Sequence, residues 1–427
     1  MGVTPVEVQP RVPDMARSPA GLVFSSDDGV LGREPWVSNG SPGAGTRLLK
    51  ELFPGPTGSN PTQFTRVGDR VFFTADDPAV GNELFVTDGT PAGTQLVKDI
   101  WPGPLGSFPN SLFAFKGMVY FSAGDVAHGR ELWRSDGTAA GTILVQELTE
   151  GVEDSSPNQF AAGGDGGLYF LIDVRGTFTL LMRTDGISDA AEIFRTTTDP
   201  GFLRPLTPVG RKLFFVVGMS HGGDVSLMMT DSGATPVTLG HFGDIRALAA
   251  LGGRLLFSAT PEKGSSDREL WISDGTVAGT RLLEDLRPGP LGSSPDNFAV
   301  LGNRLFFSAT EGTNGVELWV SDGTAAGTHR FADLEVGAGS SSPRTLTVVE
   351  DQFFFSAEVQ GRGAEPWVSN GDRLGTVALT ELARGPLSSN PRGFVRSGGY
   401  VFITGEDAGG VRRLFSITYR PDGTCPP

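Results

Sequence analysis

One twelve-residue string recurs along most of this chain, and a chain that repeats itself builds its core from one supersecondary unit used many times. Glu317–Thr328 reads ELWVSDGTAAGT, and Glu83–Thr94, Glu131–Thr142 and Glu269–Thr280 are near copies. Looser copies begin at Glu34 and Glu365. Ahead of each lies a triplet rich in aromatic and β-branched residues, bounded by Gly and polar turns, which is the mark of a short strand. Such triplets begin at Leu22, Val71, Val119, Leu168, Leu213, Leu255, Leu305, Phe353 and Val401, with a period of about 42 to 50 residues.

Each unit supplies four short strands, a to d. Strand a ends in a Gly turn, b is the aromatic triplet, c is the Glu-Leu-Trp stretch, and d follows the Asp-Gly-Thr turn. Four antiparallel strands per unit, with no helical period anywhere, predict an all-β fold: a closed β-propeller of nine four-stranded blades, with eight as the fallback. The whole span 1–427 is expected to be a single propeller domain. The ninth unit stops after the turn Asp422-Gly-Thr424, so its fourth strand is missing and 421–427 is a tail. Residues 1–10, above all Pro5–Pro10, have the length and composition to supply that strand, a velcro closure that removes an open edge. Blades four and five keep the strand pattern but lose the motif, with Met182 and Met228 where other blades have Trp.

Composition narrows the partners. The 427 residues carry a net charge of −15, which argues against a broad surface for nucleic acid or anionic membranes. No run of about 18 apolar residues is present, so no membrane insertion is expected. The N-terminus lacks a basic, then apolar, leader, so the chain carries no signal peptide as it stands. The single cysteine, Cys425, excludes a disulfide framework within one chain. Gly at 61 and Pro at 30 fall at fixed places in the repeat and read as turns. A monomer is expected.

The repeated strings resemble the bacterial ELWxxDGT repeat family, strongly in blades two, three, six and seven, less in one and eight, and barely in four, five and nine. The resemblance implies a secreted or surface-exposed bacterial protein with no assigned enzymatic activity, and no catalytic residue is carried over from it.

The Asp-Gly-Thr turn is read as structural, because Asn39 and Asn370 replace the Asp in blades one and eight and a turn needs only the side-chain oxygen. Trp36, Trp133, Trp271, Trp319 and Trp367, with Phe85 in blade two, occur once per blade and are expected between blades. Trp101 stands alone in the loop after strand d and is the candidate ligand-binding residue. The strongest constellation is acidic. Strand c opens with Glu34, Glu83, Glu131, Glu269, Glu317 and Glu365, and strand d of the same blades closes with Glu51, Asp99, Glu147, Asp285, Asp333 and Glu381. An antiparallel pair brings these two acids together. The b-to-c loops add Asp28, Asp77, Asp125, Glu262, Glu311 and Glu358. Blades four and five lose both members, with Leu180 and Ser226 in place of the Glu and Thr196 or Thr197 and His241 near the other. Paired loss implies a shared partner. Three are open: N–H groups of the Pro- and Gly-rich connection to the next blade, a neighbouring Arg such as Arg33, Arg130 or Arg268, or a Ca2+ ion per motif-bearing blade. The Ca2+ candidates are Glu83, Asp99, Asp77, Glu131, Glu147, Asp125, Glu269, Asp285, Glu317 and Asp333.

Catalytic motifs are scarce. His128, His221, His241 and His329 show no paired metal spacing, and neither a G-x-S-x-G elbow nor a P-loop is present. The expectation is therefore a non-enzymatic binding or adhesion scaffold for a protein or glycan. A lectin-like binder, with or without Ca2+, and a hydrolase or lyase with its site at the central channel are the alternatives.

Overall fold

The computed structural model describes residues 3–6, 9–41, 45–174, 178–196, 201–203, 205–219, 223–419 and 421. These residues form nine antiparallel sheets, and the fold is an all-β, nine-bladed β-propeller. Eight sheets have four strands; the fifth has five, because two short strands, Gly201–Leu203 and Thr207–Val209, both pair with Lys212–Met219. The second strands of the blades are Gly21–Asp27, Arg70–Asp77, Met118–Asp125, Leu168–Val174, Lys212–Met219, Arg254–Thr260, Arg304–Thr310, Gln352–Val359 and Tyr400–Glu406. Each begins at or within one residue of the expected aromatic triplet.

The ninth sheet takes its fourth strand from the N-terminus. Val3–Val6 pairs antiparallel with Arg412–Thr418, matching Val3 with Ile417 and Val6 with Leu414. The expected donor, Pro5–Pro10, is corrected by a few residues: Gln9–Ser18 is already strand a of blade one. The turn Asp422–Thr424, Cys425, Thr197 and His221 lie outside the described residues.

By contacts the chain divides into two compact units, Met1–Phe160 with Ile172–Arg175 and Arg392–Arg420, and Ala161–Leu171 with Gly176–Pro391 and Pro421–Pro427. Within each, the core lies between successive blades. In the first unit, Val23 and Val37 of blade one pack on Val71, Phe73 and Phe85 of blade two. Phe72, Leu84 and Val86 of blade two in turn meet Val119, Phe121 and Trp133 of blade three. In the second unit, Leu256, Leu270 and Ile272 pack on Leu305, Phe307 and Trp319. Successive residues of strand b point to opposite faces, and both faces are covered, so these strands read as unbroken apolar runs. The repeated aromatic of strand c belongs to this core in every motif blade: Trp36, Trp271 and Trp367 pack at the margins of such clusters, and Phe85, Trp133 and Trp319 lie within them.

Basic residues staple neighbouring blades. Lys50 Nζ donates to Thr94 O and Lys98 Nζ to Thr142 O, each at 2.9 Å. At the start of strand b, Arg70 Nη1 reaches Asp136 O at 2.8 Å, Arg254 Nη1 reaches Gly323 O at 3.4 Å, and Lys212 Nζ donates to Asp274 O.

Candidate functional site

Strand c begins with a glutamate whose side chain is almost fully buried in all six motif blades. Its oxygens are spent on the connection that leaves strand d for the next blade. Glu83 Oε1 accepts N–H bonds from Trp101 at 3.1 Å and Ser107 at 2.9 Å, and its Oε2 accepts the Ser107 hydroxyl at 2.6 Å. The same latch joins Glu34 to Leu52, Phe53 and Ser59. It joins Glu131 to Leu148, Thr149 and Ser155, and Glu269 to Leu286 and Ser293. Glu317 holds Leu334 and Ser341, and Glu365 holds Leu382, Ala383 and Ser389. Burial pushes each of these carboxyls above the usual range, and the donors of the loop pull it part of the way back.

The second acid serves the same loop one turn on. Glu51, Asp99 and Glu147 accept the N–H of Gly55, Gly103 and Gly151 at 3.1, 3.3 and 2.6 Å. Asp333 instead lies 3.6 Å from Arg330, and Asp285 lies close enough to Glu269 to raise it further. Asp77 and Asp125 close their own b-to-c turns, accepting from Ala79 and from Ala127 and His128. Of the three partners open to the paired acids, the structure gives them chiefly the backbone of the connection. Among the described residues no group of three or more His, Cys, Asp or Glu is arranged to hold a metal ion. The repeated, fully buried Ser of each latch is structural for the same reason.

In blade five the substituted positions do meet: Ser226 pairs with His241, and Ser226 Oγ lies 3.0 Å from His241 Nδ1. In blade four Thr179 N donates to Thr196 Oγ1 at 2.9 Å, while Leu180 lies opposite Arg195. No carboxylate bonds His241 among the described residues, so Ser226 and His241 lack the third group that orients a triad.

One connection departs from the others. Six loops share a Ser-x-Pro ending, and the middle residue has a positive φ in each: Asn60 48°, Phe108 48°, Ser156 47°, Ser294 51°, Ser342 44° and Asn390 44°. Asn and Ser suit that conformation, whereas a bulky aromatic does not. Phe108 nevertheless occupies it with 56% of its surface exposed. It forms one wall of a cleft of about 450 Å3 together with Trp101, Leu105, Val126 and Val152. Leu105, Val126 and Val152 are 67%, 63% and 73% exposed, an apolar cluster that solvent alone does not explain.

The walls are held firmly. Gly106 has φ +77° and runs so close to strand c that a Cβ there would meet Asn82 N at 2.3 Å, so only glycine fits. Phe108 N donates to Asn82 O at 3.1 Å, and the Glu83 latch fixes Trp101 and Ser107. Arg130 Nη1 donates to Phe108 O at 2.7 Å and its Nη2 to Ser107 O at 3.4 Å. On the far side, Asp154 Oδ1 accepts Arg130 N at 2.7 Å. His128 Nδ1 lies 2.8 Å from Asp125 Oδ2 beside the cleft, and that hydrogen bond raises the imidazole above its ordinary value. The sequence singled out Trp101, which lines this cleft, and named Arg130 only as a possible partner of the paired acids; it did not single out Phe108. The signal for Phe108 was present, as the one bulky residue in six Ser-x-Pro endings.

No protein-family model and no curated protein sequence matches the chain. Solved structures do match in fold. A prolyl endopeptidase is 13% identical over 82% of this chain and 54% of its own, with a TM-score of 0.49. Oligopeptidase B from Leishmania major is 12% identical over 86% and 54%, with a TM-score of 0.44. The β-propeller domain of the trilobed protease from Pyrococcus furiosus is 13% identical over 76% and 98%, with a TM-score of 0.41. The chain thus spans about half the length of the first two. The expectation of a non-enzymatic adhesion scaffold finds no counterpart among them: the matching structures are those of peptidases. At these identities the likeness extends to the fold, and no residue's role is carried over.

Proposed function

We propose that this chain is a peptidase-related propeller whose blade-three cleft holds an apolar peptide segment. The observation that supports the reading is Phe108, a bulky side chain in a backbone conformation that Asn or Ser fills in the other five loops, exposed on the wall of a cleft. Strained backbone persists where the surroundings over-determine it, and such residues cluster at ligand clamps. The cleft has the size of a small-ligand site. Its apolar wall is edged by Arg130, which spends two of its five N–H donors on the loop, and by Asp154, which spends one oxygen on Arg130 N. A peptide offers apolar side chains to such a wall and N–H and C=O groups to such an edge. The reading assigns recognition to this cleft and no bond-breaking step to any residue.

Titration calorimetry tests it with two capped pentapeptides, one carrying adjacent Phe and Leu and one of Ser and Gly. The apolar peptide is expected to bind, and Phe108→Asn and Trp101→Ala to weaken it about tenfold each, the equivalent of about 1.4 kcal/mol. Equal binding of the two peptides, or affinity untouched by both substitutions, removes the proposal.

A further inference from the structure

A second cavity, of about 340 Å3, lies where the turn of blade eight meets strand d of blade seven, lined by Arg304, His329, Phe331, Asp322, Asp372 and Arg373. Two adjacent lining residues depart from the repeat: Asp372 and Arg373 stand where four other blades have Thr followed by Pro91, Ala139, Val277 or Ala325. His329 occupies a position that varies from blade to blade, with Gln95, Ile143 and Arg281 in others, and it lines the same cavity.

Arg304 is the most telling member. At the same place in their blades, Arg70, Lys212 and Arg254 each donate to a carbonyl in the turn of the next blade. Arg304 makes no hydrogen bond or ion pair among the described residues. It rests over the Phe306 ring, 5.3 Å from the centroid, a contact that orients the guanidinium plane while leaving its N–H groups unspent. Arg373 spends one N–H, from Nη2, on Arg330 O at 3.2 Å. Asp322 remains an anion on the cavity wall, but it makes no ion pair with Arg304 or Arg373 among the described residues: its Oδ1 accepts Thr324 N at 2.9 Å and the Thr324 hydroxyl at 2.6 Å, as in the other Asp-Gly-Thr turns. Asp372 is exposed and is the one lining carboxylate with no such internal use.

We propose that this cavity binds a small oxyanion, a carboxylate or a phosphate, held by the guanidinium groups of Arg304 and Arg373 with His329 as a further ring N–H donor. Planar N–H forks match both anions with paired hydrogen bonds. Asp372 accepts a donor carried by the same ligand, such as a hydroxyl, and excludes anions that are bulky on that side. The site is independent of the blade-three cleft and stands or falls without it.

The probes are inorganic phosphate and succinate, titrated into the full chain by calorimetry at low ionic strength. At least one is expected to bind at a single site; phosphate alone, or succinate alone, tells which source supplies the anion. Arg373→Ala restores the residue that Ala139 and Ala325 hold in their blades, so the fold is kept, and it is expected to weaken binding at least tenfold. Arg304→Gln is expected to do the same, whereas Arg254→Gln, which removes a guanidinium already spent on Gly323, leaves binding unchanged. Circular dichroism checks that each variant is folded. Binding of neither probe, or equal affinity in Arg373→Ala, Arg304→Gln and Arg254→Gln, overturns the proposal.

Discussion

At the scale of one residue, Phe108 combines a positive φ with an exposed ring. A non-glycine residue held at positive φ costs on the order of 1 to 3 kcal/mol, less for Asn, whose side chain bonds locally. More than half of the Phe108 surface is exposed, so packing returns only part of that cost. Phe108→Asn is therefore expected to raise the stability of the chain by about 1 kcal/mol in denaturant unfolding while weakening the peptide, a trade of stability for recognition. A stability loss would mean that the ring serves the fold rather than a ligand. Trp101 was legible in the sequence because it is conspicuous in its loop. Phe108 showed in the sequence only as the odd residue among six Ser-x-Pro endings; its positive φ did not show, because the sign of φ is fixed by the loop's closure on Asn82 rather than by the residue itself.

At the scale of the element, the repeated unit is a sheet plus a latched connection. The Glu-Leu-Trp string was legible as strand c, but its Glu acts on a serine 24 or 25 residues later, in the Ser-x-Pro ending. Both halves recur six times in the sequence, yet nothing local says that they touch; only folding the connection back over the sheet brings them together. Ser341→Ala tests the latch away from both cavities. Ser341 and Glu317 are buried and their bond is 2.6 Å, so losing a donor to a buried carboxylate is expected to cost about 1.5 to 3 kcal/mol. Denaturant midpoints of the variant and the parent measure it, and a difference under about 0.5 kcal/mol would show the hydroxyl to be dispensable.

For the whole molecule, six latches act in one direction on pH dependence. Burial raises the folded-state value of each latch carboxyl, so between the unfolded value of about 4.3 and that raised value the folded chain binds more protons than the unfolded one. Stability then rises as pH falls through that window. His128, raised by Asp125, works in the same sense: its contribution is full below the unfolded histidine value and is lost as pH climbs through the raised one. The turn acids Asp88, Asp136, Asp274 and Asp322 oppose it. Hydrogen bonds from the Thr two residues on lower them, so their contribution holds above the unfolded value and is lost as pH falls through the lowered one. Calorimetric melting between pH 4 and 8 is expected to peak on the acidic side of neutrality, and Glu317→Gln to flatten the rise. A steady fall of the midpoint from pH 7 to pH 5 would contradict this assignment.

What the sequence determined by itself was the strand pattern, the nine units and the aromatic core between blades. Each follows from local β-propensity, two-residue alternation and turn chemistry repeated at a fixed period. Tertiary structure alone decided that Val3–Val6 rather than Pro5–Pro10 completes the last blade, that the paired acids cap a backbone, and that Phe108 with Trp101, and Arg304 with Arg373, share cavities. Those outcomes depend on which loops of neighbouring blades meet, and that is set by closure and register over tens of residues, which local spacing does not encode.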